Sequence, residues 1–187
     1  GILLYWVNPI SAWLTLASFV GYAFIYTGYL KHATPQNIVI GGLSGAMPPL
    51  LGWSAVTGTI EPDALVLVLI IFAWTPPHFW ALAIHRKDEY AKSGVPMLPV
   101  THGEFVTKVH IIVYTVVLVI VSVFPYFSGM SGLLYLASAL VLGFGFLIWS
   151  GLLMFKPKAT TAMDTFKYSI VYLTVLFVAL VADHYLF

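Results

Sequence analysis

Arg86-Lys87-Asp88-Glu89 packs two cations and two carboxylates into four consecutive positions. Adjacent carboxylates are hard oxygen ligands suited to Mg²⁺, which is usually held by one or two carboxylates together with substrate phosphates. A guanidinium and an ammonium beside them are suited to neutralising those phosphates. The run lies in the longest and most polar connection of the chain, Arg86–Glu104, which holds three of the seven acids and three of the eight bases. A connection that only orients a membrane protein needs cations and no acids. The pattern therefore points to a metal–diphosphate clamp, with Asp88 and Glu89 on the metal and Arg86 and Lys87 on the phosphates. The competing reading is an ordinary solvated loop.

Upstream, Trp74-Thr75-Pro76-Pro77-His78-Phe79-Trp80 sets one imidazole among three large aromatics inside an apolar run. Pro76 and Pro77 lack an N–H, which leaves the carbonyls of Phe72 and Ala73 without helical partners. Freed acceptors survive in a bilayer only inside protein or along a cavity. An ionisable side chain within a span is by default a functional candidate. His85 lies seven residues on and shares roughly the same helix face. The competing reading is a kinked packing helix whose His78 bonds a neighbour. Gly41 and Gly45 form a small-xxx-small face for close helix contact. Pro48-Pro49, like Pro76-Pro77, predicts helices bent around a cavity. Lys31 and Asn37 reach the same side as Asp88, Lys31 equally well as a snorkelling anchor.

Other chemistries are absent from the sequence. With no Cys there are no disulfides, thiolate metal sites or cysteine nucleophiles. No phosphate-binding GxxxxGK[ST] loop, GxGxxG, HExxH or GxSxG occurs. The six histidines, His32, His78, His85, His102, His110 and His184, make no pair at i,i+4.

The elements that must carry these residues are membrane spans. Of 187 residues, 60% are hydrophobic, 16% aromatic and 8% charged, and mean hydropathy is +0.96. An ordinary soluble domain carries about 25% charged residues. A water-facing surface cannot be covered from this composition, and disordered chains are polar and poor in aromatics. The net charge of +1 and the lack of a basic block exclude nucleic-acid binding. A bilayer core needs about 20 apolar residues per helix. Six stretches qualify, near Ile10–Leu30, Ile38–Thr57, Ala64–Ile84, Val109–Phe127, Leu133–Phe155 and Phe166–Leu186. The expectation is an all-α polytopic bundle forming one membrane domain over residues 1–187. Residues 1–7 read as the last turns of an earlier helix, so the sequence is read as an N-terminally truncated fragment. With six spans, all eight Lys and Arg fall in or beside the three connections of one side, while Glu61, Asp63 and Asp183 lie on the other. The positive-inside rule puts the basic connections in the cytoplasm, and a bacterial inner membrane is expected before a mitochondrial one.

Several runs resemble one family. They are Tyr26-Thr27 with Lys31, the stretch from Asn37 through Gly41-Gly42, Pro48-Pro49 and Gly52-Trp53, then Trp74–Ala83, Arg86–Tyr90 and Gly94–Val100. Together they resemble the protohaem IX farnesyltransferases (haem O synthases) among the UbiA-like intramembrane prenyltransferases. The Thr-Pro-Pro-His-Phe-Trp and Pro-Met-Leu-Pro runs are the specific part, and beyond about Gly103 only the spacing of spans agrees. The resemblance implies a nine-helix fold of which this chain is the C-terminal two-thirds. It implies farnesyl diphosphate and haem B as substrates, Mg²⁺ as cofactor, and haem A synthase or a terminal oxidase as partner. It makes Asp88, His78 and Arg86 catalytic. Lys31, Asn37, Lys87, Tyr26, Trp74, Phe79, Trp80 and His85 would bind substrates, the aromatic faces stabilising an allylic cation. His78, with His85 behind it, is the candidate haem-iron ligand. In the family a first acidic motif lies between the second and third helices, upstream of Gly1, so the chain alone is expected to be inactive. Two other readings stay open: a relative with a different aromatic acceptor, and a haem carrier that makes no bond.

Overall fold

The computed structural model describes residues 1–30 and 33–186. All regular structure in the described residues is helical. A short helix α1 (Ile2–Trp6) leads to Asn8, whose side chain accepts from the Ser11 amide at 2.9 Å and starts α2 (Pro9–Val20) with Pro9 in its first turn. The first span continues as wider π-helical turns over Gly21–Leu30. There Thr27 Oγ1 donates to the carbonyl of Tyr22, five residues back, at 3.0 Å. The second span is α3 (Asn37–Gly45) and α4 (Pro48–Thr57), and the third is α5 (Pro62–His85). On the basic side follow two short helices, α6 (Lys87–Lys92) and α7 (Leu98–Thr101). The last three spans are α8 (Gly103–Ser122) with its extension α9 (Phe124–Phe127), then α10 (Leu133–Phe155) and α11 (Thr161–Leu186).

Six helical segments are thus long and apolar enough to cross a membrane, the number predicted from sequence. The fourth and sixth begin more than a turn before the predicted Val109 and Phe166. Their first turns carry Glu104 and Asp164, which hydropathy counts as outside but which a helix N-terminus favours. The two double prolines behave differently. Pro48-Pro49 breaks the second span at Ala46-Met47 and opens the next helix, where a missing N–H costs nothing. Helix α5 runs unbroken through Pro76-Pro77, held by neighbours on several sides.

Those neighbours define the architecture. Helix α5 packs against α3 and α4, α8 and α11, and the contacts α8–α10 and α10–α11 close a four-span ring. The first two spans attach to one side of it. Side chains join the ring internally: Ser122 Oγ and Tyr172 Oη at 2.6 Å, Thr115 Oγ1 and Ser150 Oγ at 3.1 Å, and Tyr168 Oη donating to the Leu142 carbonyl at 3.0 Å. In lipid each such bond is worth roughly 0.6 kcal/mol. At the end opposite the basic loops, the buried Asp183 carboxylate accepts from the amides of Gly132 and Tyr135 and caps α10. The outer faces show Phe24, Phe144 and Val178 more than 60% exposed, a lipid-facing surface that water would penalise.

The glycine face differs from expectation. A Cβ on Gly42 would sit 2.9 Å from Thr75 Cγ2, and one on Gly41 would run into the Tyr26 ring, whereas one on Gly45 meets no described atom. The close approach therefore uses adjacent Gly41 and Gly42, which face the first and third spans separately. Gly41 and Gly45 do not form a single stripe.

Candidate active site

His78 is held on several sides by neighbouring rings and a hydroxyl. The Trp74 ring stacks on one face at 4.1 Å and 20°, and the Phe166 ring at 4.4 Å and 26°. Phe79 meets it edge to face at 5.0 Å. Trp74 lies four residues before His78 and hence above it on α5, while Phe166 comes from α11. The imidazole Nδ1 lies 2.6 Å from Ser169 Oγ, and Trp74 Nε1 donates to the Ser169 carbonyl at 2.7 Å. His78 is 7% exposed. Its Nε2 makes no hydrogen bond to a described residue.

Trp80 is not part of this group. It is fully buried on another face of α5, edge-on to His110 and Tyr114 of α8. Two residues of helix turn it about 200° from His78. Of the three aromatics singled out in the sequence, Trp74 and Phe79 pack on the imidazole, Trp80 does not, and Phe166 of α11 supplies the third ring. Sequence reasoning missed Phe166 and Ser169, although Thr161, Thr165, Ser169 and Tyr172 form a buried polar stripe at helical spacing that was there to be read.

The basic-side connection is more structured than a solvated loop. Its first part is polar, its second part is apolar, and Thr101-His102-Gly103-Glu104 closes it with polar residues again. Asp88 and Glu89 stand exposed in the first turn of α6, and neither forms an ion pair among the described residues. Arg86, between α5 and α6, is exposed and likewise unpaired among the described residues, and His85 is exposed in the last turn of α5. Lys87 instead pairs with Glu104 at 3.6 Å, and Glu104 also meets Lys108 at 3.4 Å. The Lys87–Glu104 pair is partly exposed and worth at most about 1 kcal/mol, while Lys108 is the more buried partner of Glu104. The second part folds inward: Val95, Met97 and Leu98 are buried with Trp80, Ile111 and Leu153. This apolar strap places α6 over the end of the bundle.

No three His, Cys, Asp or Glu side chains gather into a metal cage among the described residues. The adjacent, exposed carboxylates of Asp88 and Glu89 do suit a hard divalent ion that completes its shell with phosphate oxygens and water. Asn37 is fully buried at the start of α3 on the same side. Tyr26 is half-buried, stacked on Tyr22 at 5.3 Å and against Gly41. Lys31 lies outside the described residues.

The profile of the UbiA prenyltransferase family matches residues 1–181. The chain belongs to the UbiA prenyltransferase family. Within it, the chain is similar to the protoheme IX farnesyltransferase of Ectopseudomonas mendocina, 66% identical over 186 residues, which is 100% of this chain and 62% of that protein. The protoheme IX farnesyltransferase of Hahella chejuensis is 63% identical over 185 residues, 99% of this chain and 62% of that one. The chain thus spans about 62% of the length of these curated relatives. A solved structure from work described as "Structural and mechanistic insights into the biosynthesis of Digeranylgeranylglyceryl phosphate synthase in membranes" superposes with a TM-score of 0.82 at 20% identity, covering 95% of this chain and 62% of that one. That likeness is one of fold. Six apolar helices and membership of the UbiA family make this an integral membrane protein.

Proposed function

We propose that the protein transfers the farnesyl group of farnesyl diphosphate to a vinyl group of haem B, giving haem O and pyrophosphate in haem A/O biosynthesis for terminal oxidases. One observation carries the reading: identity of 63–66% over essentially the whole chain to proteins named protoheme IX farnesyltransferase. The enzyme is taken as a single membrane domain over residues 1–187, set in a bacterial inner membrane with its basic connections cytoplasmic. Haem A synthase or a terminal oxidase is its proposed partner.

The residues fit the chemistry. The allylic C–O bond breaks and its electron pair leaves on pyrophosphate. The vinyl π pair forms the new C–C bond, and water adds to the resulting cation and loses a proton. Asp88 and Glu89 would hold Mg²⁺ against the diphosphate, and the ion would offset charge developing on the leaving group. Arg86, Lys31 and a Lys87 released from Glu104 would bind the same oxygens. Tyr26 and Asn37 would line the diphosphate end. Trp74 and Phe79 offer aromatic faces to the cation, whereas the buried Trp80 supports α5 from behind. His78 lies about 10 Å of helix rise from His85 at the basic end. An imidazole set deeper than the diphosphate suits an acceptor whose reactive vinyl edge points back towards it.

The test is Asp88→Asn in the whole membrane-inserted enzyme. Magnesium-dependent pyrophosphate release and haem O, read by mass analysis of extracted haem, should both fall at least a hundredfold. Near-normal haem O would return Asp88 to a solvated role. A prenylated product other than haem O would move the protein to another acceptor.

A further inference from the structure

We propose that Ser169 is a positioning residue that fixes neutral His78 as the Nδ1–H tautomer, so that Nε2 presents a lone pair to the acceptor substrate; this rests on the reading of His78 given above and narrows it. The argument is a count of protons. Ser169 Oγ lies 2.5 Å from the Phe166 carbonyl oxygen and 2.6 Å from His78 Nδ1. A carbonyl oxygen only accepts, so the single hydroxyl proton points at Phe166. The oxygen then faces Nδ1 with a lone pair, and Nδ1 must carry the proton. A neutral imidazole has one N–H, so Nε2 is bare.

The surroundings hold that arrangement. Trp74 and Phe166 cover both ring faces, which blocks a ring flip. The Ser169 carbonyl also receives the Trp74 indole N–H at 2.7 Å. One residue of α11 therefore sets both members of the α5 stack. A bare Nε2 accepts a proton from the water that adds to the cation, or ligates a porphyrin iron. It cannot donate to a propionate, so of the three roles open to an imidazole beside haem, the neutral ring is restricted to two.

The test is ¹⁵N-histidine NMR of the whole protein in lipid without haem, with the His78 signals assigned by their loss in His78→Asn. The expected wild-type spectrum has a protonated Nδ1 and an unprotonated Nε2. Ser169→Ala should reduce the Nδ1–H population and lower turnover by about tenfold or more, the factor set by one lost hydrogen bond. Ser169→Thr, which keeps the hydroxyl, should restore both. A wild-type Nε2–H ring overturns the inference, as does a Ser169→Ala protein with an unchanged tautomer. An Nδ1–H ring in a protein whose His78→Asn variant keeps full haem O synthesis leaves the tautomer standing but overturns the presentation of Nε2 to the acceptor, together with the function assigned to His78.

Discussion

His78 and Asp183 are both buried polar groups inside spans, and the structure gives them different work. Asp183 has its carboxylate spent on the Gly132 and Tyr135 amides, so it is a cap supplied by a distant helix. Asp183→Ala should cost about 1–3 kcal/mol, the usual penalty for orphaned buried donors, while Asp183→Asn, which keeps an acceptor oxygen, should cost less. Thermal denaturation in detergent, compared between the two variants, measures the difference. His78 has one nitrogen committed and one open. His78→Asn should therefore leave a folded, inserted protein with little haem O formation. Loss of the haem spectral shift in that variant would indicate ligation, and intact haem binding with lost turnover would indicate proton transfer. Wild-type activity would leave His78 as a packing residue. Its isolation among aromatics was legible in the sequence because an ionisable group in an apolar run stands out. Its partners were not, because Phe166 and Ser169 come from a span 91 residues away in the case of Ser169, and pairing across that distance depends on which helices close the ring.

At the level of elements, the six spans could be read from hydropathy and charge, while the use of the prolines and glycines could not. Pro48 opens a helix and Pro76 sits within one, and the same dipeptide gives no hint of which. The Gly41/Gly42 contact depends on the angle at which the second span crosses its neighbours. Gly42→Val should disrupt the α3–α5 contact through Thr75, whereas Gly45→Ala, facing no described atom, should be tolerated. Tryptic resistance of the two variants separates these outcomes. The Val95–Pro99 strap was read as part of a polar connection because charges before it dominate the window. Leu98 is 2% exposed in the core beneath it, and Leu98→Ala should cost about 2–5 kcal/mol and misplace α6. The expected readout is an increased KM for farnesyl diphosphate in a protein that still inserts; unchanged kinetics would show that α6 positions itself.

For the whole molecule, the distribution of charge predicts orientation. Glu61 and Glu89 should lie on opposite faces of the membrane. In this cysteine-free chain, single cysteines at those positions should react with an impermeant thiol reagent from opposite sides of sealed vesicles. Reaction of both from one side would overturn the span order. The ring formed by α5, α8, α10 and α11 further predicts one cooperative unit, with the first two spans, attached along one flank, yielding first to denaturant. Hydrogen exchange in the α2 amides should precede that in α5.

Ring closure also has a meaning in time. Trp74 and the Ser169 carbonyl that receives its N–H are 95 residues apart. At a synthesis rate of about 5–20 residues per second, α5 waits on the order of 5–20 s for its partner. Throughout that interval an indole N–H and an imidazole have no protein acceptor. The insertion machinery must therefore hold α5 somewhere wet or proteinaceous until α11 arrives. The stack around His78 is thus a late seam, followed only by contacts further along α11 such as those of Tyr172 and Asp183, and a nascent chain stalled before Ser169 would present it unsealed to the membrane's quality-control proteases.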